Sequence, residues 1–160
     1  MSDIEYVIGA LLREKGLTLG VVESATGGLI SHLITNVPGS SNYFKGSITA
    51  YANGTKTKII GVKSATLAEY GSVSSQVAME MAAGGKKALA ADICISDTGI
   101  AGPGGATLEK AVGLFYLGLA HKDGIFSRKR LFRGTREEIK QSAAAAALSW
   151  LKQYLVSLKE

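Results

Sequence analysis

The chain has 160 residues, 46% hydrophobic and 19% charged, with a formal net charge of +5. Those proportions exclude a disordered chain and suit one domain, residues 1–160, built on one core. No apolar run approaches the roughly 18 residues that cross a membrane as a helix; with a lone cysteine, Cys94, and an acidic start, Met1-Ser2-Asp3-Ile4-Glu5, the expectation is a cytoplasmic protein without disulfides.

Ile4, Val7, Ile8, Leu11 and Leu12 recur at helical spacing, which predicts a helix over 3–15 with Ser2 or Asp3 as its cap. Leu17–Val22 reads as a short buried strand. A helix over 27–36 stops before Pro38, and 37–45 reads as loop. Ser47–Tyr51 is β-rich, Asn53-Gly54 signals a turn, and a basic stretch from Lys56 to Lys58 leads into Ile59-Ile60-Gly61-Val62. A helical turn over 65–70 ends at Gly71. Ser74 or Ser75 caps a helix through Ala90 that turns Val77, Met81 and Leu89 inward. Asp92–Ser96 is a second buried strand, and Gly99–Gly105 is a glycine-rich loop. Val112–Ala120 and Phe126–Phe132 form a hairpin about Lys122-Asp123-Gly124. The last helix covers 135–158, with Thr135 as cap and Glu138 at the capping-box position; its Ala143–Ala147 run favours helix and close helix packing. Strands alternating with helices and closing in a hairpin predict a three-layer α/β/α sandwich on a mixed, mostly parallel sheet.

Three segments could carry chemistry. In Val21-Val22-Glu23-Ser24-Ala25-Thr26-Gly27-Gly28 an apolar strand turns into a helix start, which sets the hydroxyls of Ser24 and Thr26 beside unpaired N–H groups. Such a turn can bind an anion or hold an oxyanion, and it also fits an ordinary helix cap. Asp97-Thr98-Gly99-Ile100-Ala101-Gly102-Pro103-Gly104-Gly105 follows the second buried strand and offers exposed amides where α/β sheets bind ligands. It matches neither a dinucleotide fingerprint nor a P-loop. Tyr51 and Lys56 can relay or accept a proton if the lysine is buried, although a lysine in a turn is usually a solvated charge. His32 and His121 have no zinc or catalytic-triad spacing, and the Ser96-Asp97-Thr98 run lacks the Ser-x-x-Lys of a β-lactamase. The cluster Arg128, Lys129, Arg130 and Arg133 comes without a nucleic-acid motif, and no nucleic-acid partner is expected.

Glu23-Ser24-Ala25-Thr26-Gly27-Gly28, Pro38-Gly39-Ser40-Ser41, Phe44-Lys45-Gly46, Tyr51-Ala52-Asn53 with Lys56, Tyr70-Gly71-Ser72-Val73-Ser74, Thr98–Gly105, Lys110-Ala111-Val112-Gly113 and Gly134-Thr135-Arg136-Glu137 follow one another in this order. In that ordered set the chain resembles the CinA C-terminal domain family of competence/damage-inducible proteins, from about residue 4 to residue 155. The resemblance implies an amidohydrolase of the pyridine-nucleotide cycle. Such an enzyme deamidates nicotinamide mononucleotide to nicotinic acid mononucleotide and ammonia, without metal or cofactor, as a homodimer or higher homo-oligomer. It implies Ser24 as nucleophile, assisted by Tyr51 and Lys56. It also implies the stand-alone form, without the molybdopterin-binding-like domain of longer members. Ala25, Ala111 and Thr135 depart from the family's usual Cys, Pro and Asp.

On this reading Lys56 takes the Ser24 proton with Tyr51 relaying, and N–H groups near Thr26, Gly27 and Gly28 hold the oxyanion. Thr98, Gly99, Gly102, Gly104 and Gly105 wrap the ribose or phosphate, and Arg136, with Arg133, neutralises the phosphate. Two other readings stand beside it: a mononucleotide-binding sensor that uses the same loops without catalysis, and a DNA-associated competence or damage factor, suggested by the family's name and the +5 charge.

Overall fold

The structure is a computed structural model that describes residues 3–159. Its elements in chain order are α1 (Ile4–Lys15), β1 (Leu19–Glu23), α2 (Leu29–Thr35), β2 (Phe44–Thr49), α3 (Asn53–Ile60), α4 (Ser64–Tyr70), α5 (Ser75–Ala88), β3 (Ile93–Gly99), β4 (Leu114–His121), β5 (Gly124–Leu131) and α6 (Arg136–Ser157), with a short 3-10 turn at Ser40–Asn42. The sheet order is β2-β1-β3-β4-β5. β1 pairs in parallel with both β2 and β3, β4 runs against β3, and β5 runs against β4, so β4 alone points opposite to the rest.

Alternation along the central strands builds two cores. Leu19, Val21, Ile93, Ile95, Leu117 and Leu119 pack under α1, α2 and α6, where Leu12, Ile30, Leu148 and Leu151 are fully buried. Val22 and Cys94 point to the opposite face and meet Ile60 of α3 and Val77 and Met81 of α5. Helices therefore cover both faces. The helix α5 comes close enough that a Cβ on Gly85 would sit 2.2 Å from Val22 Cγ2 and 2.8 Å from Cys94 Sγ.

Several boundaries differ from the sequence reading, each for a physical reason. Parallel pairing with β1 draws Phe44 and Lys45 into β2 and ends that strand at Thr49, with Leu19 opposite Phe44 and Glu23 opposite Thr49. Asn53-Gly54 is not a turn but the first residues of α3, a helix held by the burial of Lys56 and Ile60 rather than by propensity. β3 runs on through Asp97 and Thr98 to Gly99, because β4 pairs with it as far as Gly99–Phe115. In α1, Asp3 occupies the cap position without a side-chain bond, and Ser2 lies outside the described residues. The expected capping box of α6 is present: Thr135 N–H donates to Glu138 Oε1 at 2.9 Å, and Glu138 N–H donates to Thr135 Oγ1 at 3.2 Å. No described helix is long and apolar enough to cross a membrane.

Candidate active site

Because β2 and β3 flank β1 on opposite sides, the chain leaves the carboxyl ends of β1 and β3 in diverging directions, and a crevice opens there. It holds a cavity of about 280 Å³. Ser24, Tyr51, Lys56, Thr98, Gly99, Gly102, Gly104, Gly105 and Arg136 all line it, together with Ala25 and Ser72-Val73. Residues far apart in sequence are thus gathered from the ends of β1 and β3, the start of α3, the α4–α5 connection and the start of α6. Three larger hollows, of about 330, 420 and 460 Å³, contain no counterpart of Lys56, which is 1% exposed.

Ser24 is the first residue after β1 and is nearly buried. Its Oγ has no hydrogen-bond partner among the described residues, which leaves it available to a ligand in the cavity. Lys56 reaches the same space from the first turns of α3, and its Nζ donates to the Tyr51 backbone carbonyl at 2.8 Å. Burial lowers the Lys56 pKa, and the nearby Asp97 carboxyl partly opposes that shift. A lysine so placed loses its proton more readily than one in water.

Tyr51 sits differently from the relay expected. The residue is 58% exposed at the rim, and its hydroxyl accepts from Arg136 Nη2 at 3.1 Å, with no hydrogen bond to Lys56 or Ser24 among the described residues. The residue contributes its carbonyl to Lys56 and its phenol to Arg136. Arg136 opens α6 next to the capping box and also donates from Nη1 to the Gly102 carbonyl at 2.6 Å. It joins the glycine-rich loop to the rim and presents its positive charge to the cavity. Arg133 does not line this cavity. Thr98 Oγ1 donates to the Ser72 carbonyl at 2.6 Å, which closes the far wall.

The expectation that Thr26, Gly27 and Gly28 hold an oxyanion needs correction. Their N–H groups are already bonded: Thr26 N–H to Asp97 Oδ1 at 3.1 Å, Gly27 N–H to the Ser24 carbonyl at 3.1 Å, and Gly28 N–H to Glu23 Oε1 at 3.2 Å. Thr26 is fully buried, and all three face a separate cleft beside His32 and Lys140. The Ala25 N–H, by contrast, donates to no described residue, and Ala25 lines the cavity.

Two residues outside the expected site explain this turn. Glu23, fully buried at the end of β1, accepts from Ile30 N–H at 2.8 Å, Ser31 N–H at 3.0 Å and Ser31 Oγ at 2.6 Å, in addition to Gly28. It fills the donor end of α2 with the chain's own carboxylate. Asp97, also fully buried, takes Thr26 N–H, a longer bond from Ser24 N–H at 3.4 Å, and a contact with Thr26 Oγ1. Burial pushes the Asp97 carboxyl up to about 7; the hydrogen bonds from Thr26 and Ser24 oppose this, and the Glu23 charge adds to it. The sequence signal was present: an acidic residue follows each of two apolar runs, Leu17–Val22 and Asp92–Ser96, a costly placement in a buried strand unless each carboxyl is fully bonded.

The CinA C-terminal domain model matches residues 1–155. The chain belongs to the CinA C-terminal domain family. It is 45% identical over 158 residues to a CinA-like protein of Geotalea uraniireducens, covering 99% of this chain and 38% of that protein. It is 49% identical over 147 residues to a putative competence-damage inducible protein of Moorella thermoacetica, covering 92% of this chain and 36% of that one. The chain thus spans under two-fifths of the length of these curated relatives. Among solved structures, a competence/damage inducible protein of Agrobacterium tumefaciens superposes with a TM-score of 0.90 at 34% identity, covering 98% of both chains. A CinA superfamily protein of Enterobacter cloacae gives 0.92 at 27% identity, covering 96% of this chain and 90% of that one. The α/β fold with helices on a mixed five-stranded sheet is that of the CinA superfamily.

Proposed function

We infer that this domain is an amidohydrolase that needs no metal and releases ammonia from the carboxamide of nicotinamide mononucleotide, with Ser24 as nucleophile. The observation that carries this reading is an unpartnered serine hydroxyl in the same small cavity as a buried lysine of lowered pKa. Family membership supports the same assignment.

Ser24 Oγ attacks the carboxamide carbon while neutral Lys56 Nζ takes the hydroxyl proton. The carbonyl oxygen becomes an oxyanion, and the donor for it is the free N–H of Ala25, the residue after the nucleophile. Lys56 returns its proton to the leaving nitrogen, the C–N bond breaks, and ammonia departs. Water then attacks the acyl-serine, losing a proton to Lys56; the bond between Ser24 Oγ and the acyl carbon breaks, Lys56 returns that proton to Ser24 Oγ, and nicotinic acid mononucleotide departs. Tyr51 acts by position: its carbonyl aims Lys56, and its phenol steadies Arg136. Arg136 and the amides of the 101–105 loop supply positive potential for the phosphate at the mouth.

The test is ammonia release from nicotinamide mononucleotide by the parent chain and by Ser24→Ala. The reading requires release by the parent and its loss in a variant that melts at the parent temperature.

A further inference from the structure

We propose that Asp97 is a positioning residue that works as an uncharged carboxylic acid, donating its proton to Thr26 Oγ1 and so sparing Lys56 a facing negative charge. The proposal rests on the reading of Ser24 and Lys56 as nucleophile and base.

The argument is a count of protons. Thr26 Oγ1 lies within hydrogen-bond reach of Glu23 Oε1, at 2.7 Å, and of Asp97 Oδ2. A hydroxyl has one proton to donate and lone pairs to accept. If it donates to one carboxyl oxygen, the other contact needs a proton from the carboxyl side. Two ionised carboxylates would leave one contact as bare oxygen against oxygen in a site closed to water. One of the two groups is therefore an acid.

Its position follows from the donors. Glu23 already receives the N–H groups of Gly28, Ile30 and Ser31 and the Ser31 hydroxyl at the start of α2, so both of its oxygens are in use as acceptors. Asp97 has the Thr26 N–H and the long bond from Ser24 N–H. The proton belongs on Asp97 Oδ2, and the chain of donation runs from Asp97 to Thr26 to Glu23. The charged groups that couple to Asp97 are Glu23 from β1 and Lys56 from α3; its neighbour across the ladder to β4 is Leu117, which is apolar.

Two consequences meet at the site. The bonded Asp97 fixes the turn that carries Ser24, through the N–H groups of Ser24 and Thr26. As an acid it also leaves Lys56 without a counter-ion, so burial can keep the amine neutral. An ionised Asp97 would hold the ammonium form and remove the base.

Asp97→Asn tests this, because its amide can donate to Thr26 Oγ1 and accept from Thr26 N–H. The decisive readout is the melting temperature of parent and variant between pH 4 and 8. The folded parent keeps its Asp97 proton to near neutrality, whereas the unfolded chain loses it near pH 4. The Asp97 contribution to the parent's stability is therefore lost over that interval, and the variant has no such contribution to lose. The expected result is that Asp97→Asn gains several degrees on the parent as pH rises. A difference that stays flat, or that moves in the parent's favour, overturns the proposal. In turnover, the acid limb of kcat/KM should stay in place in Asp97→Asn, since an uncharged amide replaces an uncharged acid; a limb that moves to lower pH means that an ionised Asp97 faces Lys56 in the parent, and contradicts the role toward Lys56.

Should the variant not fold, carbon-13 carboxyl shifts of the aspartate-labelled parent give the same answer, since Asp97 shares the chain with Asp3, Asp92 and Asp123 alone. One aspartate signal titrating near neutral pH supports the proposal, and all of them titrating below pH 5 overturns it. The melting curves and the labelled spectra need no turnover. An absence of ammonia release would thus remove the amidase reading and leave the protonation of Asp97 separately decided.

Discussion

After β1 the chain turns through Ser24–Gly28, and after β3 it turns through Ile100–Gly105; both turns carry glycines and lie at the carboxyl end of a parallel strand. In the first turn the donors face inward. Glu23 and Asp97 take up the N–H groups of Ser24, Thr26 and Gly28 and the start of α2, which leaves Ser24 Oγ and Ala25 N–H for a ligand. In the second turn the N–H groups of Ala101, Gly102, Gly104 and Gly105 donate to no described residue, and all four residues line the cavity. One turn is a braced mount for a single unpartnered hydroxyl, and the other is an open cradle. Glycine content alone does not separate the two. What separates them is whether a carboxyl of the chain itself already fills the donors.

The comparison can be broken most severely at the Ser24 hydroxyl. Ser24→Ala should lower turnover by on the order of 10⁴-fold while leaving urea unfolding unchanged. Removing the base comes next: Lys56→Met should reduce kcat by roughly 10²- to 10⁴-fold. It should not reduce stability, since it replaces a buried amine with an apolar chain of similar length. In the parent, kcat/KM should rise with pH as Lys56 loses its proton, and that rise should come below the range of an exposed lysine, because burial lowers its pKa.

The brace itself fails through stability rather than chemistry. Glu23→Ala strands several buried donors and should cost about 3 kcal/mol or more, read from the denaturant midpoint. The cradle gives the smallest effects. Gly102 has φ +80°, and an added Cβ would lie 2.4 Å from Val112 Cγ1, so Gly102→Ala should raise KM several-fold. A Cβ on Gly104 would meet nothing, and Gly104→Ala should stay within about twofold of the parent.

Much of the fold was legible because it follows local periodicity and capping. The helices α1, α5 and α6, the hairpin of β4 and β5, and the Thr135–Glu138 capping box stand where their spacing put them. The N-terminal end of α3 was not legible. Asn53-Gly54-Thr55 has poor helix propensity, and the helix exists because the fold buries Lys56 and Ile60. The cavity lining was legible from motif order, except at Thr26, Gly27 and Gly28. Their donors are filled in part by Asp97, a residue 71 positions from Thr26 that only the β1–β3 pairing brings into reach. The indifference of the Tyr51 phenol to Lys56 was equally hidden, since it depends on where α6 begins and on Arg136 reaching back to the rim.

The measurement that bears most directly on the central claim is ammonia release from nicotinamide mononucleotide, with a chelator present and Ser24→Ala alongside. The account predicts release by the parent that the chelator spares and the substitution abolishes. Near-parental turnover in Ser24→Ala would contradict it, as would a folded parent that binds the nucleotide and releases no ammonia.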